Sequence, residues 1–259
     1  MFQGKNKNKQ FKQQLGEILF AKRGFIYKLP KKRNVILTMT GGIDSSVGAQ
    51  LIIEKWDSII YPFYLKRGAT AERYELKSVK RVVSYLKKKY PNNIKNLFIA
   101  SAPVPLSEIK PNLSKKRVIK RGHPLRNSII QSYAVQYGVS LNDQVVKLDT
   151  VLVGSVASDY FPGSRDVDLL LNTLHVCTNM EEWNWQILSP FLQKGLLKGK
   201  QKIIKIDLIK WGYKNNFPFE LTRTCTSENA IPCGKCSECK ERLETFEKAG
   251  IEDPVKYKL

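Results

Sequence analysis

The stretch Val35-Ile36-Leu37-Thr38-Met39-Thr40-Gly41-Gly42-Ile43-Asp44-Ser45-Ser46 carries the strongest local signal in the chain. Its first five residues form a continuous apolar run rich in β-branched side chains, which is typical of a buried strand in a parallel sheet. The two glycines that follow allow the backbone to turn tightly without interference from a Cβ atom. A helical segment from Ser45 to Trp56 comes next, so the stretch predicts a strand, a glycine turn and a helix.

The rest of the chain alternates between short apolar runs and helical periods. We predict further strands at 58–64, 97–100, 149–155 and 187–191, helices at 72–90, 125–137 and 166–176, and an exposed loop at 193–202. Strands that alternate with helices predict an α/β fold with a parallel, doubly wound sheet. Such sheets bind ligands outside the carboxyl ends of their strands, which is where the glycine turn lies.

The residues of the glycine turn suit a phosphate group. Gly41 and Gly42 let the backbone approach an anion, and the hydroxyls of Ser45 and Ser46 join the free N–H groups of the helix start. Asp44 would repel a phosphate unless Mg2+ lies between the two groups. The loop is neither a Walker A loop nor a dinucleotide-binding glycine motif. The alternative is a plain strand-to-helix turn in which Asp44 caps the helix.

Four of the five cysteines lie close together near the C-terminus. They are Cys225, Cys233, Cys236 and Cys239. Four thiolates at this spacing suit a tetrahedral Zn2+ ion, and because all four positions would be filled the site should be structural. The alternatives are an iron–sulfur cluster and unliganded thiols. The fifth cysteine, Cys177, is either a core residue or a catalytic thiol.

The length of 259 residues fits one large domain with a small appendage. The formal charge of +21 attracts anions such as nucleotides, nucleic acid or acidic proteins, although a lysine-rich genome is an alternative explanation. No apolar run approaches the roughly 20 residues that span a bilayer. The basic N-terminus lacks the apolar core of a secretory signal. We therefore expect a cytoplasmic protein with no membrane partner.

Composition divides the chain into three parts. Residues 1–32 form a basic N-terminal extension with nine Lys or Arg and one Glu. Part of it is expected to be disordered, with a short docked element at 11–27 or, alternatively, a nucleic-acid-binding arm. Residues 33–215 form the predicted phosphate-binding α/β domain, and residues 216–259 form the predicted zinc-binding C-terminal segment, which ends in a helix.

The glycine turn resembles the Ser-Gly-Gly-x-Asp-Ser signature of PP-loop ATP pyrophosphatases, with Thr40 in place of the first Ser. These enzymes cleave ATP between the α and β phosphates and adenylate a substrate. The resemblance implies that ATP and Mg2+ are bound by residues of this loop and its surroundings. The candidate ATP-binding residues are Thr38, Thr40, Gly41, Gly42, Asp44, Ser45, Ser46 and Gly154.

The segments around the cysteines resemble the 7-cyano-7-deazaguanine synthase family. The segment at 219–225 and the cysteine motif at 231–243 match its C-terminus, and further matches occur in the same order at 74–76, 124–127, 153–154, 159–160 and 205–209. The family adenylates the carboxylate of 7-carboxy-7-deazaguanine, forms an amide with ammonia and dehydrates it to a nitrile. The resemblance implies a small-molecule deazaguanine substrate and a homodimer.

The resemblance also implies roles for individual residues. The candidate catalytic residues are Asp44, Ser45, Arg126 and Lys205, and the candidate substrate-binding residues are Arg126, Asn127, Asp159 and Arg165. Lys205 and Arg126 carry charges that can offset those of phosphates or of the substrate carboxylate. The alternative for both is an ordinary ion pair at the surface.

The substrate half departs from the family pattern. The family's Tyr-Pro-Asp-Cys-Arg stands here as Phe161-Pro162-Gly163-Ser164-Arg165, so that a carboxylate and a thiol are missing. Three functions remain open: a biosynthetic synthase, a diverged relative of the kind found in antiphage defence that passes the deazaguanine to a protein or nucleic acid, and a non-catalytic basic binding module. The intact glycine turn argues against the third.

Overall fold

The computed structural model describes residues 2–144, 146–159 and 161–258, with side chains from residue 9 onward. Five parallel strands form one sheet in the order β3-β2-β1-β4-β5. The strands are β1 (Asn34–Thr38), β2 (Ile59–Lys66), β3 (Phe98–Ser101), β4 (Thr150–Leu152) and β5 (Gln186–Leu188). The predicted α/β fold with a parallel sheet is confirmed. The predicted fifth strand was too long, because Pro190 starts a 3-10 turn.

Helices cover both faces of the sheet. Those in the described part of the chain are α1 (Phe2–Arg23), α2 (Ile43–Trp56), α3 (Glu72–Lys89), α4 (Lys115–Arg121), α5 (Arg126–Asn142), α6 (Asp166–Met180), α7 (Lys205–Lys214) and α8 (Ser237–Ala249). The sequence did not predict α4 and α7. They have 7 and 10 residues, which is too short for a periodic pattern to stand out. Turns occupy the predicted loop at 193–202.

The first strand separates two hydrophobic clusters. Val35 and Leu37 belong to one cluster and Ile36 to the other, as the twofold alternation of side chains along a strand requires. All three are at most 1% exposed. A strand buried on both faces therefore carries a continuous apolar run, and it holds the loop that follows it on a rigid support.

The N-terminal segment is a helix packed on the domain. Leu15 and Leu19 of α1 form a small buried cluster with Leu170 of α6. The Arg23 guanidinium donates to the Trp185 carbonyl at 2.6 Å. These contacts fall within residues 11–27, where a docked element was predicted, and the helix itself extends back to Phe2. The division of the chain into three parts stays a prediction.

Length and apolarity together decide whether a helix can cross a bilayer. Among the residues that the structure describes, no helix is both long enough and apolar enough to cross a bilayer.

Candidate functional site

The glycine turn joins β1 to α2 at the carboxyl edge of the sheet. Gly41 has a φ of +74°, and a Cβ atom there would lie 2.8 Å from the Glu75 carbonyl oxygen. A Cβ atom on Gly154 would lie 3.0 Å from the Ser45 nitrogen. Ser45 Oγ accepts the Thr40 N–H at 3.2 Å and lies 3.1 Å from Thr40 Oγ1. Both glycines are therefore needed for backbone segments to pack closely around the start of α2.

Two polar atoms at the start of α2 are buried without a partner in the described part of the chain. They are Asp44 Oδ1 and Ser46 Oγ. An unpaired buried polar atom costs about 1–3 kcal/mol, so native proteins rarely keep one without a ligand to satisfy it. The helix start also supplies free N–H groups and the positive end of a 14-residue helix. The arrangement fits a bound phosphate with a metal ion beside it.

Thr38 has a different position from the rest of the turn. Its side chain is buried, and Thr38 Oγ1 donates to the Leu152 carbonyl of β4 at 3.3 Å. The structure therefore places this candidate ATP-binding hydroxyl within the sheet.

Lys205 lies at the centre of a group of carboxylates. Its Nζ is 3.6 Å from Asp44 Oδ2 and 2.8 Å from Glu241 Oε1. Burial raises the pKa of Asp44 to about 7, although Lys205 opposes this and Asp159 and Glu241 add to it. Burial alone would lower the pKa of Lys205, but the carboxylates raise it above its usual value. Three carboxylates around one ammonium leave an excess of negative charge, which suits a hard cation.

Asp159 belongs to this acidic group. Its carboxylate accepts the Val156 N–H at 3.0 Å, and burial raises its pKa. The resemblance assigned Asp159 to the substrate, and this role stays a prediction. The structure places Asp159 in the electrostatic range of Lys205 and Glu241 and in the wall of a cleft that Arg165 also lines. Tyr160, its neighbour in the family motif, lies outside the described residues.

A second group of side chains lies at the start of α5. Arg126 Nε donates to Asn127 Oδ1 at 3.1 Å, and Asn127 Nδ2 donates to Ser164 Oγ at 3.0 Å. Burial and the nearby Arg67 lower the pKa of Arg126, while Glu75 raises it. The structure thus joins the predicted substrate residues Arg126 and Asn127 to the loop in which the chain departs from the family pattern.

Arg165 is held in a local ion pair. Its Nε and Nη2 each lie 2.8 Å from a carboxylate oxygen of Asp168, across the first turn of α6. Beside it is a cleft of 320 Å3 whose walls include Asp159, Ser164 and Lys202. Lys9 and Lys12 of α1 also line this cleft. No sequence pattern placed the N-terminal segment beside a predicted substrate residue, because the contact between α1 and α6 is purely tertiary.

The four clustered cysteines converge. Their sulfur atoms all lie within 4.8 Å of one another, and Cys225 Sγ is 3.6 Å from Cys233 Sγ. The Lys235 and Cys236 N–H groups point at Cys233 Sγ and lower the pKa of that thiol to about 6. Four sulfur atoms at this separation fit the corners of a tetrahedral site. Cys177 lies elsewhere, fully buried, with its thiol donating to the Trp185 carbonyl at 3.2 Å.

Arg223 connects the cysteine site to the glycine turn. Its backbone N–H donates to the Gly41 carbonyl at 2.7 Å. Its buried guanidinium donates to three carbonyls of the loop between Cys225 and Cys233, those of Ser227, Asn229 and Ala230. Because this contact joins segments that are far apart in the chain, the sequence did not indicate it.

Two further carboxylates of the site went unassigned. Glu241 is on α8 and reaches Lys205 on α7, which no sequence pattern indicates. Glu75 lies within the matched Tyr74-Glu75-Leu76 segment, and its Oε1 is 3.5 Å from Arg67 Nη2. Its position in a matched segment was the one available signal.

The chain is similar in sequence to proteins that share one name. The 7-cyano-7-deazaguanine synthase of Acetivibrio thermocellus is 28% identical over 233 residues, which cover 87% of this chain and 98% of that protein. The enzyme of the same name from Nautilia profundicola is 26% identical over 242 residues, covering 87% and 99%. The tRNA thiolase NcsA of Methanococcus maripaludis, solved with its 4Fe-4S cluster, aligns over 93% of this chain and 73% of its own. Its identity of 14% and TM-score of 0.44 are too low to bear on the chemistry.

The family-level match spans most of the chain. A model of the family described as queuosine biosynthesis protein QueC matches residues 34–250, which include the glycine turn, both charged groups and the cysteine site. The chain therefore belongs to the QueC family.

Proposed function

We propose that the chain uses ATP to adenylate the carboxylate of 7-carboxy-7-deazaguanine and converts it to the amide and then to the nitrile. The observation that carries the proposal is the pair of unpartnered buried oxygens, Asp44 Oδ1 and Ser46 Oγ, at a glycine turn that opens a helix. Membership of a family whose relatives bear the name of this reaction supports it.

The residues of the turn would act first. A substrate carboxylate oxygen attacks the α-phosphorus of ATP and pyrophosphate leaves. The N–H groups at the start of α2 and the hydroxyls of Ser45 and Ser46 would hold the pyrophosphate portion, and Lys205 would offset its charge. Ammonia then displaces AMP to give the amide. The amide oxygen then attacks the α-phosphorus of a second ATP with loss of pyrophosphate, and departure of AMP together with the two amide protons gives the nitrile.

The acidic group around Lys205 would hold Mg2+. Asp44 offers its unpartnered Oδ1, and Asp159 and Glu241 lie in electrostatic range of it. When bound, the ion would neutralise charge on the phosphates.

Arg126 and Asn127 would orient the substrate carboxylate. Their proposed role depends on the hydrogen bonds that link them to each other and to Ser164. The Arg126 guanidinium is half-buried and its Nε donates to Asn127 Oδ1, so its orientation would be restrained before the substrate arrives.

The four cysteines would hold a structural Zn2+ ion. Their sulfur separations and the N–H groups that point at Cys233 fit a closed tetrahedral thiolate site. Elemental analysis of purified protein should give about one zinc per chain, and Cys239→Ser should lower both the zinc content and the melting temperature. Iron with labile sulfide in place of zinc would show the cluster alternative.

One incubation tests the catalytic proposal. The protein is supplied with ATP, Mg2+, 7-carboxy-7-deazaguanine and ammonia, and AMP, amide and nitrile are measured by mass spectrometry. A reaction without the deazaguanine is the control. Nitrile formation supports the proposal, and no AMP above the control with any deazaguanine would refute it.

A diverged role in antiphage defence is the second candidate function. It is favoured by the loop in which Gly163 and Ser164 replace a carboxylate and a thiol, since that loop contacts Asn127 through Ser164. AMP without nitrile, together with deazaguanine mass on a macromolecule, would support this candidate over the first. In either case we expect a cytoplasmic protein that forms a homodimer. Light scattering of the purified protein would measure the mass of the assembly and so test the dimer.

A further inference from the structure

The segment between β3 and α5 carries a dense group of positive charges. We call these six side chains the basic rim: Lys110, Lys115, Lys116, Arg117, Lys120 and Arg121. Residues 109–142 contain no Asp or Glu. The short helix α4 has no buried residue, and its five cations are all exposed.

The basic rim lacks internal neutralisation. Within the described residues, none of its six cations forms an ion pair, whereas Lys89 and Lys248 elsewhere on the surface do. Lys116 and Lys120 are four residues apart on α4, as are Arg117 and Arg121, so each pair repels along one helix face. A helix of this kind is stabilised when an external polyanion removes the repulsion.

The basic rim lies beside the proposed site. Its segment follows the carboxyl end of β3, at the sheet edge that also carries the glycine turn. Lys110 Nζ donates to the Gly68 carbonyl in the loop after β2 at 2.8 Å. Burial lowers the pKa of His123, and the positive charges of Arg126, Arg67 and Lys110 lower it further. The positive surface thus continues from exposed α4 to the half-buried guanidinium of Arg126.

We propose that the basic rim binds the phosphate backbone of a nucleic acid strand whose unpaired nucleotide points toward Arg126. A flat membrane surface reaches α4 but not the half-buried Arg67 and Arg126, whereas a flexible strand reaches both. Ile119 on α4, with 79% of its surface exposed, offers an apolar contact for a base or sugar. The choice of nucleic acid over an acidic peptide rests on the proposed function, because a site for a guanine-like base accommodates a nucleotide.

Binding measured without ATP or deazaguanine tests the inference separately from the reaction. Fluorescently labelled single-stranded RNA and DNA of one sequence are titrated with the full chain between low and physiological salt, and fluorescence anisotropy is recorded. The K116Q/K120Q variant should bind about tenfold more weakly at low salt, and the slope of log K against log salt should fall by about 1.4, at about 0.7 per lost contact. Comparing the RNA and DNA titrations identifies the preferred strand.

The matched control is K80Q/K88Q, which removes two exposed lysines of α3. It should bind as the wild type does. Equal loss in both variants would overturn the proposal, since the attraction would then come from net charge alone. It would also be overturned if polyglutamate or anionic vesicles bound as tightly as the strands. AMP release with the small-molecule substrate should survive in K116Q/K120Q, so a failed reaction and a failed binding site are told apart.

Discussion

The proposed phosphate side, at the glycine turn, and the proposed substrate side, at the start of α5, lie at one edge of the sheet but are built differently. The phosphate side uses backbone groups and close glycine contacts, and among the described residues Asp44 Oδ1 and Ser46 Oγ have no partner there. On the substrate side, Arg126, Asn127, Ser164, Arg165 and Asp168 are paired with one another. Backbone geometry tolerates few substitutions, whereas paired side chains can be exchanged together. The difference accords with a sequence that resembles the family signature at the glycine turn and departs from the family pattern at 161–165.

Removal of Asp44 should give the largest effect. Asp44→Ala takes away the proposed Mg2+ ligand and should lower AMP release by about 10²–10³-fold, the effect of losing one group that stabilises developing charge. Single-turnover AMP formation measures it. Activity within tenfold of the wild type, with unchanged Mg2+ dependence, would refute the assigned role.

The stability of the same variant is its control. Folding raises the pKa of the Asp44 carboxyl to about 7. The folded protein therefore loses stability as the pH rises from about 3.9, the pKa of an unfolded Asp, toward that value. Without Mg2+, Asp44→Ala should therefore be at least as stable as the wild type above pH 7. Denaturant unfolding at pH 6 and pH 8 checks the sign, and a less stable variant at pH 8 would show that the lost activity comes from misfolding.

Gly41→Ala tests the close backbone contact of the phosphate side. The positive φ costs about 1–2 kcal/mol for any L-residue, and the added Cβ atom would in addition lie 2.8 Å from the Glu75 carbonyl. We expect the KM for ATP to rise about tenfold, as for a lost interaction of about 1.4 kcal/mol. Gly199→Ala is the matched control, since Gly199 has a φ of +76° and nothing within 4 Å. Equal changes in KM in the two variants would remove the argument from close packing.

Arg223→Ala tests whether the cysteine site supports the phosphate side. Three loop carbonyls lose a charged donor, and a hydrogen bond of this kind contributes about 1.5–3 kcal/mol. The free energy of unfolding should fall by about that amount, and ATP affinity should weaken a few-fold while the metal content stays unchanged. Loss of metal with ATP affinity intact would confine the role of Arg223 to the cysteine loop.

Arg165→Gln should have the smallest effect. Its ion pair with Asp168 is partly exposed, and such pairs contribute about 0.2–1 kcal/mol. We expect the KM for ATP to stay unchanged and the KM for the deazaguanine to rise a few-fold. Steady-state kinetics with each substrate varied in turn measure the two values. A change in the KM for ATP alone would contradict the separation of the two sides.

The sequence predicted the sheet better than the helices around it. Strands β1 to β5 were all predicted, because each contains a short apolar run, even though the edge strand β3 has no buried residue. Helix α7, which places Lys205, was missed because 10 residues show too little periodicity. Helix α1 begins at Phe2, before the docked element predicted at 11–27, because its first residues are mostly polar and basic and show no apolar period.

The candidate site shows the same contrast. The residues of the glycine turn and the four cysteines could be chosen from sequence, since each group lies within a short stretch whose spacing is itself the signal. Their roles stay predictions. Glu241 and Arg223 could not be chosen, because each acts through a contact with a distant segment.

The sequence by itself determined the parallel α/β sheet, the glycine turn after its first strand and the cysteine motif, because local hydrophobic pattern and ligand spacing encode them. Only the tertiary structure decided that Asp44, Asp159 and Glu241 share one lysine, that α1 lines the cleft beside Arg165, and that Arg223 joins the cysteine loop to Gly41. The physical reason is that these contacts arise when helices pack across the edge of the sheet. Packing depends on the whole set of buried faces, and no single stretch of sequence contains it.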